Sequence, residues 1–327
     1  MIRKESVKKL AGRILKNVNK VDATGLYNGK AGLSLSLFLA AEYLQDEHID
    51  QVANTMFLES LIIRNSDISF ENGLSGVGYL LLYLLEKEIV DADFDDIFGT
   101  QYESIIRSLE SIEKLPSGLV NLLPTVFFFT RAGKLKKEDK RIQSIIKKFF
   151  EGVELFLSVQ FRDFDDIRYI NKKQHVLNVF KAFLKLVDYS AYSQFSRSLL
   201  ENYASIYRKG RIVSSLEAGY YLRKIALKNE ISKYDEVIHD NIINGLNNIY
   251  PDMLSLRERI DLATILPDIP NGNFQEQKLL PEIDKLDKDK VIFDLLKTMD
   301  EKFFPYGYGA GLGRLLIYCV SKQTELL

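Results

Sequence analysis

The chain has one cysteine, no tryptophan, three histidines and seven prolines in 327 residues. A single cysteine excludes an intramolecular disulfide, so stability must come from packing, and a reducing, cytoplasmic setting is expected. The start, Met1-Ile-Arg-Lys-Glu, leads into charge with no apolar core of the kind a signal peptide needs. No apolar run approaches the roughly 20 residues that cross a bilayer; Val77 to Leu85 is among the longest, so a soluble protein without membrane insertion is expected. Charge of one sign is also missing. Lys and Arg number 44 against 45 Asp and Glu, which leaves no overall field for nucleic acid or an anionic membrane. The run from Lys134 to Arg141 mixes both signs and reads as a solvated loop and helix start.

What is present is apolar residues, 46% of the chain, mostly at spacings of three and four. That period predicts an almost entirely helical protein. The segments 6–19, 49–63, 101–112, 138–161, 192–207 and 231–249 each carry one polar face and predict outer helices. Segments 31–44, 75–85, 119–129 and 310–320 are apolar nearly all round, as helices enclosed by protein are.

The second kind of helix has a recurrent entrance. LYNGKAGLSLSLFLA from Leu26 and FENGLSGVGYLLLYL from Phe70 align without a gap, pairing Asn28 with Asn72, Gly29 with Gly73 and Gly32 with Gly76. A small-residue pair before an apolar helix returns at Ser117-Gly118, Ala218-Gly219 and Ala310-Gly311. The spacing is about 42 to 51 residues or a near multiple, with fainter copies near 165–176 and at Leu262-Ala263, as expected of repeated helical hairpins. Seven hairpins with enclosed inner helices predict one domain over 1–327, an all-α ring with inner and outer layers. Glycine at such an entrance permits a sharp turn and close backbone approach, and Asn28 and Asn72 stand where N-caps are expected. A phosphate loop does not fit, because no strand precedes Gly73 and no Gly-Lys-Ser/Thr follows.

These entrances and the closing GYGAGLGRLLIY resemble the lanthionine synthetase C-like proteins, the lanthipeptide cyclases. The resemblance spans about Leu26 to Val320 and is strong in the first, second and last repeats. It implies an α/α toroid, and its active members hold one zinc through two cysteines and a histidine, activating a substrate thiol for addition to a dehydrated residue. Such a zinc would lower the thiol pKa. This chain departs from that pattern: Ser214 stands where the first cysteine is expected and Arg259-Ile260 where Cys–His is expected. Cys319 lies inside an apolar segment, and His48, His175 and His239 are dispersed, so no metal and no cofactor is expected. The function implied is a zinc-less relative that binds or helps modify a ribosomally made precursor peptide, with a partner modifying enzyme.

Two other classes remain open: a carbohydrate-active enzyme with a carboxylate pair on the ring, and a non-catalytic interaction module. Glu71, Glu217 and Asp261 are the carboxylates near loop mouths, with Glu71 and Glu217 the catalytic candidates, although acidic groups also suit helix N-termini. The substrate-binding candidates are Asn28, Asn72, Ser214, Tyr306 and Tyr308; Tyr27, Tyr306 and Tyr308 could offer flat aromatic surface in a chain without tryptophan.

Overall fold

The computed structural model describes residues 4–62, 66–112, 116–269, 276–280, 285–286, 288–299 and 304–321. Met1 to Arg3 lie outside these, as do the side chains of Pro116, Ser117, Glu276 and Gln277. The described residues are helices and connecting turns, without a strand. In chain order the helices are α1 (Lys4–Leu15), α2 (Lys30–Leu44), α3 (Glu47–Ser60), α4 (Leu74–Glu86), α5 (Phe94–Ser111), α6 (Pro116–Leu122), α7 (Thr125–Leu135) and α8 (Lys140–Arg162). There follow α9 (Ile170–Ser190), α10 (Arg197–Arg208), α11 (Leu216–Lys228), α12 (Asp235–Asn247), α13 (Leu256–Ile265), α14 (Glu276–Leu279), α15 (Asp289–Leu296) and α16 (Leu312–Ser321). They fall into two compact units, one of residues 1–101 with 250–327 and one of residues 102–249.

In the first unit α2 packs against α1, α3, α4 and α16, and α16 also packs against α1 and α13. The last of the enclosed helices thus lies beside the first. Every residue of α2 from Ala31 to Ala41 is buried, as is every residue of α4 from Leu74 to Leu84 and of α16 from Leu312 to Cys319. By contrast α1 buries only Ser6, Val7, Leu10, Ala11 and Ile14, the single stripe of an outer helix. In the second unit α8 packs against α6, α7, α9 and α10, while α9 meets α7 and α11, and α12 covers α10 and α11. Each unit is therefore all-α, built of helices packed on neighbouring helices, which is compatible with an all-α toroid.

Three sequence expectations are corrected. The apolar segment 119–129 is two helices, because Pro124 separates α6 from α7. Asn28 and Asn72 are not the N-caps: Gly29 and Gly73 hold those positions, with no side-chain cap bond, and Asn28 accepts from Phe304 instead. The repeat register also moves. The amides of Leu33, Val77 and Leu315 bond to Gly29, Gly73 and Gly311, so Arg314 takes the place of Gly32 and Gly76, and Ala310 lies in the loop. Gly219 and Arg259 bond in the same way to Ser215 and Ser255, which puts Glu217 and Arg257 opposite Ala31. The places where the resemblance would put zinc ligands shift from Ser214 to Val213 and from Arg259-Ile260 to Leu254-Ser255, none of them a thiol or imidazole.

Candidate functional site

The glycine loops that enter α2, α4 and α16 are laced together through one residue, Tyr27. Tyr27 N–H donates to the Glu71 carbonyl at 2.7 Å, and Gly309 N–H donates to the Tyr27 carbonyl at 2.9 Å. Phe304 N–H donates to Asn28 Oδ1 at 3.0 Å. Such backbones meet only where side chains are absent: a Cβ on Gly25 would stand 2.4 Å from Asn72 Cα. The entrances therefore fold the loops onto one another, and the helix starts follow.

An aromatic row lies along this junction. Tyr79, Phe70, Tyr27 and Tyr308 succeed one another at centroid separations of 5.2, 6.3 and 5.7 Å. Two guanidiniums cover its end, Arg257 at 5.2 Å from the Tyr27 centroid and Arg314 at 5.9 Å from that of Tyr308. Cations over tyrosine faces are held by the ring quadrupole, more strongly where water is excluded. Asp261 ties the pair together, in direct contact with Arg314 Nη2 and 3.9 Å from Arg257 Nε. Arg314 is 1% exposed, whereas the Arg257 side chain keeps 32% of its surface. One cation is thus structural, and the other is offered to solvent.

Burial works against the Arg257 charge, but Tyr27, Asp261 and Glu71 outweigh it and hold its pKa above the usual range. Burial likewise pushes the Tyr308 phenol up, so it remains a neutral hydroxyl at ordinary pH. A planar guanidinium with a third of its side chain exposed can, besides these partners, donate to a further carboxylate or carbonyl oxygen.

This unit brings together Asn28, Glu71, Asn72, Tyr306 and Tyr308 of the sequence-stated candidates. Tyr308 is only 5% exposed, so it supports the cluster from beneath and presents no open face. Tyr306 is half-buried against Phe304 at 5.5 Å, and Asn72 is exposed beside half-buried Glu71. Ser214 and Glu217 belong to the second unit. There Ser214 Oγ shares a hydrogen with Tyr207 Oη at 2.8 Å, and Glu217 pairs with Lys181 at 3.2 Å. Arg257 and Arg314 are the groups that sequence reasoning missed. The available signal was a charged residue in the otherwise apolar GLGRLLIYCV, and a cation where earlier repeats carry a small residue.

Among the described residues no group of three or more His, Cys, Asp or Glu side chains is gathered to hold a metal ion, and Cys319 is buried in α16. No described helix is long and apolar enough to cross a membrane. Comparison with protein-family models, with curated proteins and with solved structures finds no match for this chain. The chemistry of the site must carry the functional reading.

Proposed function

We propose that the chain is a peptide-holding protein of the lanthionine synthetase C-like kind, gripping a precursor peptide in the cytoplasm and presenting it to a partner modifying enzyme without a zinc-bound thiolate. Arg257 carries this reading. It is an arginine at the first turn of α13 whose side chain is a third exposed, with its guanidinium over the Tyr27 ring and 3.9 Å from Asp261. A fixed, planar, partly dehydrated cation suits bidentate capture of a peptide carboxylate or paired carbonyl oxygens, since less rotamer freedom is lost on binding. Exposed Asn72 and half-buried Asn28, Glu71 and Tyr306 supply polar and aromatic surface on the neighbouring loops.

The test is selection of random 15-residue peptides on the full chain, followed by fluorescence anisotropy with Arg257→Gln. Peptides enriched in Asp or Glu that bind the variant at least about tenfold more weakly are expected, the loss typical of one charge-assisted hydrogen-bonded contact. Equal binding to both proteins, with the helical spectrum unchanged, would overturn the reading.

A further inference from the structure

The second unit has a groove of about 520 Å³ between the end of α10 with its following loop and one face of α12. Its far wall is a stripe at helical spacing: Glu236, Asp240, Asn244 and Asn248. Its near wall is Tyr207, Arg208, Gly210, Ile212, Val213 and Ser214. We propose that this groove binds an extended peptide segment carrying a basic residue, with the two asparagines reading its backbone and the two carboxylates taking its cation. The groove belongs to the second unit and does not rest on the reading given for Arg257.

The argument starts from spacing. Residues four apart on a helix rise about 6 Å, while two residues of an extended chain advance about 6.6 to 6.8 Å. Asn244 and Asn248 are both exposed and both face the groove. Each side-chain amide offers a donor and an acceptor, the complement of a peptide's carbonyl and N–H. Consecutive asparagines on the stripe therefore meet alternate peptide units of a strand laid along it. Toward the N-terminus of α12 the stripe changes to carboxylates, which accept only. Asp240 then suits a Lys or Arg side chain, which at Glu236 joins or displaces the groove's own Arg208, 4.0 Å away.

The near wall is fixed in advance. Gly210, at φ +66°, ends α10 and turns the chain back, with its N–H donating to the Tyr207 carbonyl at 2.8 Å. The loop is then pinned to α12: Ser215 N–H donates to Asn241 Oδ1 at 3.0 Å, and Asn241 also accepts from Tyr203 Oη at 3.0 Å. Between the Tyr207–Ser214 hydroxyl pair and Val213, which is 76% exposed, this wall gives a side chain of the peptide both a polar and an apolar contact. A groove whose walls are hydrogen-bonded to each other needs little ordering when a strand enters.

The experiment selects a displayed library of random 12-residue peptides on the full chain, with counter-selection on Asn244→Ala/Asn248→Ala, whose exposed positions leave the fold intact. Recovered peptides are resynthesised, with and without N-methyl groups at alternate amides, and titrated by anisotropy. Expected are peptides with Lys or Arg near one end, a loss of at least tenfold in the double variant, a similar loss on N-methylation, and a weakened basic preference in Asp240→Asn. Failure to recover any peptide that prefers the native chain would overturn the assignment, as would N-methylated peptides that bind equally well. Peptides that lose affinity for Arg257→Gln but not for the asparagine variant would place binding in the other unit and equally overturn it.

Discussion

Replacing Gly32 by alanine isolates what the repeated glycine does. A Cβ built there would lie 1.8 Å from the Leu26 carbonyl oxygen and 2.5 Å from Tyr308 Cβ, against a floor near 3.0 Å for real contacts. Gly76 repeats the clash, with the Phe70 carbonyl oxygen at 2.1 Å. The obstacle in each case is the helix's own entry loop, so relief requires that loop to move by about 1 Å or more, as the distance deficit implies. At Gly32 the displaced loop carries the bonds of Lys30 and Ala31 to Ala23 and Thr24, and the backbone N–H and C=O of Tyr27 that lace three loops together. Losing two to four bonds at roughly 1 kcal/mol each outweighs the gain of about 1 kcal/mol from alanine in a helix, leaving a net loss of about 1 to 3 kcal/mol. Gly12 in α1 is the control, since a Cβ there meets nothing within 4 Å and Gly12→Ala should stabilise by up to about 1 kcal/mol. Urea unfolding followed by circular dichroism should move the midpoint down for Gly32→Ala and Gly76→Ala and up for Gly12→Ala. If Gly32→Ala follows Gly12→Ala upward, the close approach is not what the glycine is for.

Three further outcomes are expected. Glu154, half-buried on α8 and accepting from Ser196 N–H at 3.0 Å, has its carboxyl pushed by burial from 4.5 to about 7, so the folded chain keeps a proton that the unfolded chain has lost between those values. Its stabilisation is present below pH 4.5 and lost as pH rises through 7; the shift would be worth roughly 3 kcal/mol in a dry site and about 1 kcal/mol after solvent screening, and Glu154→Gln should abolish that decline in pH-dependent melting. Asp139 has the opposite sign: the Arg141 guanidinium holds it at about 2, so its contribution is present above its ordinary 3.8 and lost as pH falls through 2, and Asp139→Asn should flatten the acid limb of the same titration. Asn241→Ala leaves the buried Tyr203 hydroxyl and the Ser215 amide without their acceptor and should cost about 3 kcal/mol in urea unfolding, while a cost below about 1 kcal/mol would show that water replaces it.

Helical class and the division into inner and outer helices were legible because burial on all sides forces an apolar composition, and α2, α4 and α16 obey it apart from a few small serines and the enclosed Arg314. The break at Pro124 was equally written in the chain, but an apolar run on both sides concealed it. Cap identity was not legible. Asn28 and Asn72 have a capping residue type in nearly the right place, yet what decides between Asn28 and Gly29 is how closely three loops approach, and each loop is distant in sequence from the others. Register failed for a related reason. Ala310-Gly311 matches Ala31-Gly32 by residue type, whereas the hydrogen bonds of the first turn match Gly311 to Gly29.

That shift of register changes what the repeats say about function. At the second and third positions of an inner helix the early repeats carry Ala31-Gly32 and Ser75-Gly76, and the later ones carry Glu217, Arg257 and Arg314. Small residues there let the loops close on one another, so a long charged side chain in the same place must either displace the loop or be enclosed with a counter-charge. Arg314 is enclosed, with Asp261 as its partner and Tyr308 beneath it. Glu217 pairs with Lys181 on α9. Arg257 shares Asp261 with Arg314 at the longer distance and keeps a third of its surface in water. Arg257 is held by Tyr27, Asp261 and Glu71 together, so a long cation in this place is enclosed among partners on its inner side and keeps its remaining surface in water.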